Sequence, residues 1–468
     1  MNKKFIIFGA GPSGLSTAYG IKKNKIDAFV EVYEKQGQVG GLAGSIKSGK
    51  DFIDFGPHRL SVQNSRIKEI SESLLGSNLL VKKSQHGVEF KDRLYQFPPK
   101  VLELINIKTI TIIFQLACSY IYGKFHWFVN RYTTETFKEF VKHKFGNYFL
   151  EQIAEPMSTK VWGNCEKIDP NFVVQRFSIV KPLEIIKQFI IPSPKLNPST
   201  FYYPEYGGFQ AIWDSMAETI KKNKAEIHLK SYPVSLTLNG NEIVEMEIKQ
   251  GEKIKKINTS DSVIVSTIPI ISLLNIIDFK DQKLLDLAKK IRVRSMFLVV
   301  LKFNQNRTLP YRTLIFPEKK FIFNRIFEQN LYSRQTVEEG KSVIVADITF
   351  DKDIDYYNKD EVCRIVKEQI SELKYINLDK LESISAKKID YAYVSPELET
   401  RKNFDLIEKE LSKINNLRLI GRFGAGEYDN SDYAILNGLD LGDLLTSKIS
   451  SIDYDLIKSK TKQSKILG

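Results

Sequence analysis

The stretch KFIIFGAGPSG at residues 4–14 constrains the fold more than any other part of the chain. The apolar run Lys4–Phe8 ends directly at a glycine and predicts a buried parallel strand. Gly9, Gly11 and Gly14 then fit the pattern G-x-G-x-x-G, and apolar residues follow at helical spacing. In the order strand, turn, helix, the first glycine permits the tight turn, the second admits a phosphate, and the third lets helix and strand pack closely. The free amides at the helix start are therefore expected to face a pyrophosphate.

An acidic residue follows at the distance that this interpretation requires. Phe29–Tyr33 predicts a second strand, and Glu34 stands at its end, twenty residues beyond Gly14. In dinucleotide-binding folds, an acid at about this offset accepts the ribose hydroxyls. A glycine turn without a ligand would need neither the helix nor the acid, so the whole segment predicts a bound dinucleotide.

A second glycine turn indicates which dinucleotide to expect. Gly40–Ser45 reads GGLAGS and comes soon after the acidic strand, and Asp54–Arg59 reads DFGPHR. Both segments resemble the FAD-binding fold of the superfamily of amine oxidases, protoporphyrinogen oxidases and UDP-galactopyranose mutases, which has a GG-x-x-x-S/T turn and a D-x-G-x-H segment. Many members have arginine at the position of Leu42, so a phosphate contact common in these relatives is missing or replaced. The resemblance implies FAD as the cofactor.

The resemblance extends over most of the chain. Glu155–Gly163 is similar to a T-K-V-W-G segment of bacterial protoporphyrinogen-oxidase-like proteins, and Tyr202–Gly208 resembles their Y-P-x-x-G-G turn. Leu419–Gly424 and Glu427–Asp432 resemble the closing flavin motif. The fold that this implies is α/β: a Rossmann-like FAD-binding domain of the glutathione-reductase type, with an interleaved mixed-sheet substrate domain and a helical lobe.

The resemblance and the periodicity together predict how these parts alternate along the chain. Residues 1–80, 201–270 and 417–468 are assigned to the FAD-binding domain, 90–200 to the helical lobe, and 271–416 to an antiparallel-sheet substrate domain. The periodicity predicts helices over 101–122, 133–144, 148–155, 213–223, 359–374 and 404–414. It predicts strands over 234–238, 242–248, 262–265, 296–303, 321–327 and 342–350, with a hairpin turn at 239–241.

Composition and charge exclude several classes of protein. The three cysteines form no C-x-x-C pair and the five histidines show no metal-ligand spacing, so we expect no metal site and a reducing, cytoplasmic compartment. The first apolar run is too short for a secretory leader. The net charge is +13, but the lysines are scattered and form no basic stripe with aromatic residues, so nucleic acid is not an expected partner. An anionic small-molecule substrate is consistent with this charge.

Residues 105–122, INIKTITIIFQLACSYIY, leave two alternatives open. The segment is nearly long enough to span a bilayer, but Asn106, Lys108 and Gln115 interrupt it. It is either a helix buried in the lobe or a helix that dips into one leaflet and attaches the protein peripherally to a membrane.

The candidate site residues follow from the resemblance and from the chemistry of flavins. Since the isoalloxazine ring performs the redox chemistry, no triad or carboxylate pair is required. His58 and Arg422 are the catalytic candidates, as a near-neutral acid or base and as an anion contact. The residues expected to bind the cofactor are Gly9, Gly11, Pro12, Ser13, Gly14, Glu34, Lys35, Gly41, Leu42, Pro57, His58, Val234, Gly421, Arg422, Asn430 and Asp432. The residues expected to line the substrate pocket are Trp162, Arg176, Tyr202 and Tyr203.

Three functions remain open from the sequence. The leading expectation is an FAD-dependent oxidoreductase that removes hydride from a C–N or C–C bond, which the Tyr202–Gly208 segment and the helical lobe favour. The second is a mutase that uses reduced FAD on a nucleotide sugar, which the pair Gly421–Arg422 favours. The third is a non-catalytic FAD-binding protein, because fold analogy does not determine function. The sequence does not decide the oligomeric state.

Overall fold

The structure is a computed structural model, and it describes residues 4–97, 107–130, 136–170, 172, 200–278, 281–351, 358–426 and 428–447. Within helix Ile107–Asn130, the described side chains are those of residues 110–125. Outside these ranges lie Arg176, residues 101–106 of the helix predicted over 101–122, residues 133–135 of the helix predicted over 133–144, and Glu427 of the C-terminal motif.

The strand that precedes the first glycine turn lies at the centre of a parallel sheet. In spatial order the strands are Glu226–His228, Phe29–Tyr33, Lys4–Phe8, Ser262–Ser266 and Leu417–Leu419. Ile7 packs into one core cluster with Leu15, whereas Ile6 and Phe8 pack into another with Phe404. Both faces of this strand are therefore buried, which confirms the predicted buried parallel strand.

Helix Pro12–Asn24 packs very closely against helix Ser431–Thr446. A Cβ atom at Gly438 would lie 2.5 Å from the carbonyl oxygen of Ser13, and one at Gly442 would lie 2.8 Å from that of Thr17. Only glycine fits at such a contact. The contact holds the helix of the first glycine turn against the helix that follows the C-terminal motif.

A large mixed sheet lies beside the parallel sheet. In spatial order its strands are Leu381–Val394, Val293–Phe303, Ser342–Asp351, Arg325–Glu328, Thr313–Ile315, His86–Glu89 and Leu94–Phe97. Neighbours are antiparallel except for Thr313–Ile315 and His86–Glu89, which run parallel. Side chains alternate along Val293–Phe303: Val299 and Leu301 pack under helix Lys359–Ser371, and Leu298 faces the core of the parallel sheet.

This sheet corrects two predictions. The strand expected over 321–327 begins only at Arg325, because Phe321 and Phe323 precede it outside the sheet and pack edge-on against Phe316 in the core. The sequence analysis also missed Leu381–Val394. Most of its side chains are exposed or half-buried, so its apolar content is low and periodicity alone does not reveal it.

The other predicted helices and strands are present with shifted ends, and the structure adds further elements that the sequence analysis did not predict. The helices are Ser65–Leu75, Ile107–Asn130, Phe137–Phe145, Asn147–Phe149, Glu155–Trp162, Gln210–Lys222, Ile270–Leu274, Gln282–Lys289, Lys359–Ser371, Leu398–Leu411 and Gly421–Gly424, and a π-helical turn covers Leu150–Ala154. The smaller sheets contain Ser45–Ser48 with Asp51–Asp54, Leu60–Ser61 with Thr200–Pro204 and Leu79–Lys83, and Ser231–Asn239 with Glu242–Gln250 and Lys253–Asn258. The hairpin predicted at 239–241 is confirmed, and Gly240 has a φ of +60° there.

A buried carboxylate connects three distant parts of the chain. Asp54 accepts hydrogen bonds from Ser45 Oγ at 2.6 Å, Tyr203 Oη at 2.6 Å and the amide of Phe209 at 3.0 Å. Gln329, which directly follows strand Arg325–Glu328 of the large sheet, donates to Tyr203 Oη at 2.8 Å and accepts from the Asp54 amide at 3.1 Å. Burial raises the pKa of Asp54, and these hydrogen bonds oppose the increase. Asp54 thus fixes the segment that leads to His58.

Helix Ile107–Asn130 has an apolar face that the described residues leave open. Ile110, Phe114, Ile121 and Phe125 are all more than half exposed. Within the described ranges, no helix is long and apolar enough to cross a bilayer. The alternative of a helix that dips into one leaflet stays a prediction.

Candidate active site

A cavity of about 1600 Å³ lies between the carboxyl ends of the parallel strands and the large sheet. Every residue predicted to bind the cofactor lines it, with the exception of Gly14. Those on its wall are Gly9, Gly11, Pro12, Ser13, Glu34, Lys35, Gly41, Leu42, Pro57, His58, Val234, Gly421, Arg422, Asn430 and Asp432. Segments separated by hundreds of residues therefore meet at this cavity.

The two glycine turns form a cradle without side chains. A Cβ atom at Gly41 would lie 3.2 Å from Gly11 Cα, so the two turns face each other at backbone distance. Gly9 has a φ of +97°, and a Cβ atom there would lie 2.2 Å from Thr267 Oγ1. Gly14 lies behind this wall, where a Cβ atom would come within 2.0 Å of the Gly9 carbonyl oxygen. The start of helix Pro12–Asn24 opens into the cradle, so its free amides suit a pyrophosphate. The residues present fit a dinucleotide.

Glu34 closes one end of this cradle. Its carboxylate accepts the amide of Ala10 at 2.8 Å through Oε2 and the amide of Gln36 at 2.7 Å through Oε1. It therefore holds the first glycine turn in place as well as lining the cavity. Each oxygen keeps acceptor capacity, which is what a ribose hydroxyl requires.

We expect the change Glu34→Ala to weaken FAD binding at least tenfold, because hydrogen bonds to charged groups contribute about 1.5–3 kcal/mol. A titration of the apoprotein with FAD measures this loss. Glu226→Ala is the matched control, because Glu226 lies on the neighbouring strand, is exposed, and does not line the cavity. An unchanged dissociation constant in Glu34→Ala would show that the carboxylate does not contact the cofactor.

His58 lies at the other end of the cavity in an unusual electrostatic position. Its ring stacks on Phe209 with 5.3 Å between centroids, and its buried Nδ1 has no hydrogen-bond partner among the described residues. Burial lowers its pKa to about 3, and the positive charges of Arg325 and Arg422 contribute. The imidazole is therefore neutral near pH 7. This argues against a near-neutral acid or base, because burial and then the neighbouring pair of arginines disfavour the imidazolium.

Arg422 faces a pair of stacked tyrosines. Its guanidinium lies 4.8 Å from the ring centre of Tyr428 and 5.6 Å from that of Tyr393, and the two rings stack at 5.6 Å with an angle of 5°. Arg422 also donates to the carbonyl oxygen of Asp429 at 2.5 Å. Burial and the nearby Tyr428 raise the pKa of Tyr393 to about 12, so its phenol keeps its proton.

Arg325 completes the cationic side of the site. Its Nε donates to the buried carboxylate of Asp347. Burial opposes the charge, but Asp347 and the tyrosines outweigh it and hold the pKa of Arg325 above its usual value. The sequence analysis missed Arg325 and Tyr393, since each lies on a strand whose position beside His58 depends on long-range pairing. Tyr428 lies inside the C-terminal motif Glu427–Asp432, and this position could have indicated that it belongs to the site.

The three predicted substrate residues that the structure describes, Trp162, Tyr202 and Tyr203, do not line the cavity. Tyr203 is fully buried and bound to Asp54, and Tyr202 is buried in the small sheet with Leu60–Ser61, whereas their neighbour Phe201 reaches the cavity wall. Trp162 lies one layer back, where its Nε1 donates to Tyr428 Oη at 3.3 Å. The expectation that these aromatic residues form the pocket wall is therefore wrong: all three lie behind it. Arg176 lies outside the described residues.

Comparisons with known proteins agree with this geometry. A family model described as "Flavin containing amine oxidoreductase" matches residues 12–387. Among solved structures, that of a reduced UDP-galactopyranose mutase superposes with a TM-score of 0.81 at 19% identity, covering 98% of each chain. Cyclohexylamine oxidase from Brevibacterium oxydans IH-35A gives 0.63 at 11% identity, over 98% of this chain and 100% of the other. Putrescine oxidase bound to putrescine gives 0.60 at 12% identity, over 95% and 98%. At these identities the structural likenesses establish the fold.

Proposed function

Because the chain belongs to the family of flavin-containing amine oxidoreductases, its cofactor is FAD, and we propose that it is a mutase acting on an anionic nucleotide sugar. The proposed reaction moves a bond within the substrate without net oxidation or reduction. The observation that carries it is that two guanidinium groups, those of Arg325 and Arg422, line the same cavity. Arg325 is paired with Asp347, whereas Arg422 has no carboxylate partner among the described residues.

The charge of this pair favours an anion over an amine. Arg422 has no carboxylate within 4.0 Å among the described residues, so its charge is available to a ligand. A protonated amine about 4 Å from such a charge would be repelled by about 4 kcal/mol in a partly buried site. A diphosphate would instead receive the planar donors of both guanidinium groups.

The neutral groups around the arginines support the same substrate. With its lowered pKa, His58 can exchange hydrogen bonds with sugar hydroxyls without adding charge. Tyr393 and Tyr428 offer phenol hydroxyls and ring faces that orient a bound sugar nucleotide. FAD supplies an electron-rich N5 when reduced and a hydride acceptor when oxidised. The residues of this chain bind and orient the substrate and exclude water.

Lys387 supports a second candidate function, that of an oxidoreductase. This lysine lines the cavity, its Nζ lies 4.9 Å from the ring centre of Phe55, and burial lowers its pKa. A lysine of lowered pKa can take the proton that is released when a C–H or N–H bond is oxidised. This observation favours the oxidoreductase that the sequence analysis put first.

The oxidation state of the flavin separates the two candidates. We expect UDP-galactose, incubated anaerobically with the dithionite-reduced holoenzyme, to give an isomeric product, and the oxidised holoenzyme to give none. Product is measured by anion-exchange chromatography, and the flavin absorbance should be the same at the start and at the end.

Two outcomes would contradict the mutase. Bleaching of the oxidised flavin by an organic substrate, with recovery after oxygen or quinone is added, would establish the oxidoreductase. A holoenzyme inert in both oxidation states toward nucleotide sugars and amines would favour a non-catalytic FAD-binding protein.

A further inference from the structure

A second cationic group lines the cavity beyond His58. Arg59 and His86 are both on the cavity wall, together with Thr200 and Phe201. Behind them lies the buried guanidinium of Arg312, 5.0 Å from the ring centre of Phe201, with Arg59 on the same ring at 6.0 Å. We call Arg59, His86 and Arg312 the far cluster. The proposed function leaves it without a role.

Hydrogen bonds hold Arg59 in a defined position. Its Nη1 donates to Ser84 Oγ at 2.9 Å and lies 2.9 Å from His86 Nε2. Arginine can only donate, so His86 accepts through Nε2 and carries its proton on Nδ1. Burial lowers the pKa of His86 to about 4, and the charges of Arg59, Arg312 and Arg325 contribute. A neutral imidazole thus anchors one nitrogen of the guanidinium.

The guanidinium groups of the far cluster form no ion pair with a carboxylate among the described residues, although the charge of Arg59 acts on Asp432, which lines the same cavity. Over the described part of the chain, no Asp or Glu oxygen lies within 4.0 Å of the guanidinium of Arg59 or Arg312. Arg312 donates to the carbonyl oxygens of Leu331 at 2.8 Å and Lys83 at 2.6 Å, so its hydrogen bonds go to neutral groups. Two guanidinium groups stacked on one ring repel each other, and an anion bound between them and the cavity would relieve that repulsion.

We propose that Arg59 is a second anion site, which takes a carboxylate on the sugar of the substrate, so that the substrate is a nucleotide-linked hexuronic acid. The inference rests on the proposed function, because it assumes that Arg325 and Arg422 take the diphosphate. The single planar guanidinium on the wall offers two parallel donors, which match the two oxygens of a carboxylate. Arg312 lies behind the wall and adds charge without direct contact.

The test compares two probes that differ only at one carbon of the sugar. Dissociation constants of UDP-galactose and UDP-galacturonate are measured with the holoenzyme by calorimetry. We expect the uronate to bind at least tenfold more tightly. Equal affinity in the native protein would overturn the proposal without the use of any variant.

The variants assign this preference to Arg59. Arg59→Gln should weaken binding of the uronate at least tenfold more than binding of the hexose, and Arg59→Lys should restore part of the difference. Arg364→Gln is the control, because Arg364 is exposed on helix Lys359–Ser371 and pairs only with Glu368 among the described residues. A preference that persists in Arg59→Gln would contradict the assignment, as would loss of FAD from that variant, which would make Arg59 a cofactor residue.

A different result would show that the proposed mutase function, and not the carboxylate site, is wrong. If neither nucleotide sugar binds, the mutase proposal fails, and free galacturonate is then compared with free galactose by quenching of flavin fluorescence. Quenching by galacturonate alone, lost in Arg59→Gln, would support the carboxylate site by itself. Equal effects of both sugars would overturn it.

Discussion

Replacing Arg422 with alanine is expected to weaken binding of a nucleotide sugar to the holoenzyme about 10- to 150-fold, the equivalent of about 1.5–3 kcal/mol for hydrogen bonds to a charged group. Arg422 lines the cavity, and among the described residues no carboxylate lies within 4.0 Å of it. Its loss therefore removes a charge that the ligand uses. Arg422→Lys should recover only part of the affinity, because an ammonium lacks the planar fork.

The salt dependence of the Arg422 effect identifies its origin. If the contact is with an anionic ligand, the difference between native protein and Arg422→Ala should shrink as ionic strength rises. Arg418→Ala is the control, since Arg418 lies on the preceding strand Leu417–Leu419 and away from the cavity wall. Unchanged affinity for the sugar together with weaker FAD binding would assign Arg422 to the cofactor instead.

Asp54→Ala is the substitution expected to lower the free energy of unfolding most, by about 3–5 kcal/mol, because it breaks a buried hydrogen-bond network. The change leaves Ser45 Oγ, Tyr203 Oη and the Phe209 amide as buried donors without their acceptor. Each buried donor that is left without an acceptor lowers the free energy of unfolding by about 1–3 kcal/mol, and the three contributions are not fully additive. Domains of this kind are stable by about 5–15 kcal/mol, so the variant should lose a large share of the total.

Urea unfolding of the holoprotein, followed by circular dichroism, measures this loss. Ser48→Ala is the control on the same hairpin, because Ser48 is exposed and its change should cost less than about 0.5 kcal/mol. The loss of stability in Asp54→Asn should lie between those of Asp54→Ala and Ser48→Ala. The amide oxygen of the asparagine still accepts a hydrogen bond, but its NH₂ group faces other donors. A loss below about 1 kcal/mol in Asp54→Ala would mean that water replaces the carboxylate.

The sequence predicts the cofactor side of the cavity well because its signals are local. The strand, the turn of Gly9–Gly14 and Glu34 lie within one short unit, and each glycine is explained by a contact of its own backbone. The residues of this local motif line the cavity as predicted, apart from Gly14, which packs one layer behind the cavity wall.

The substrate side is less predictable because long-range pairing creates it. The sequence predicted a strand over 321–327, but only the order of strands in the large sheet brings Arg325 to His58. Tyr203, in contrast, was predicted at the site and does not lie there. A conspicuous aromatic motif suggested a pocket wall, but the hydrogen bond of the phenol to Asp54 holds it in the core.

The close packing of helix Pro12–Asn24 on helix Ser431–Thr446 has a consequence for how the protein is made in the cell. The ribosome produces the first glycine turn early, but the strand Leu417–Leu419 and the glycine contacts of Gly438 and Gly442 come roughly 400 residues later, or about 20–80 s at ordinary rates of synthesis. Until then the apolar faces of the first strand have no complete set of neighbours. We therefore expect the nascent chain to require protection by chaperones, and FAD to be captured only near the end of translation.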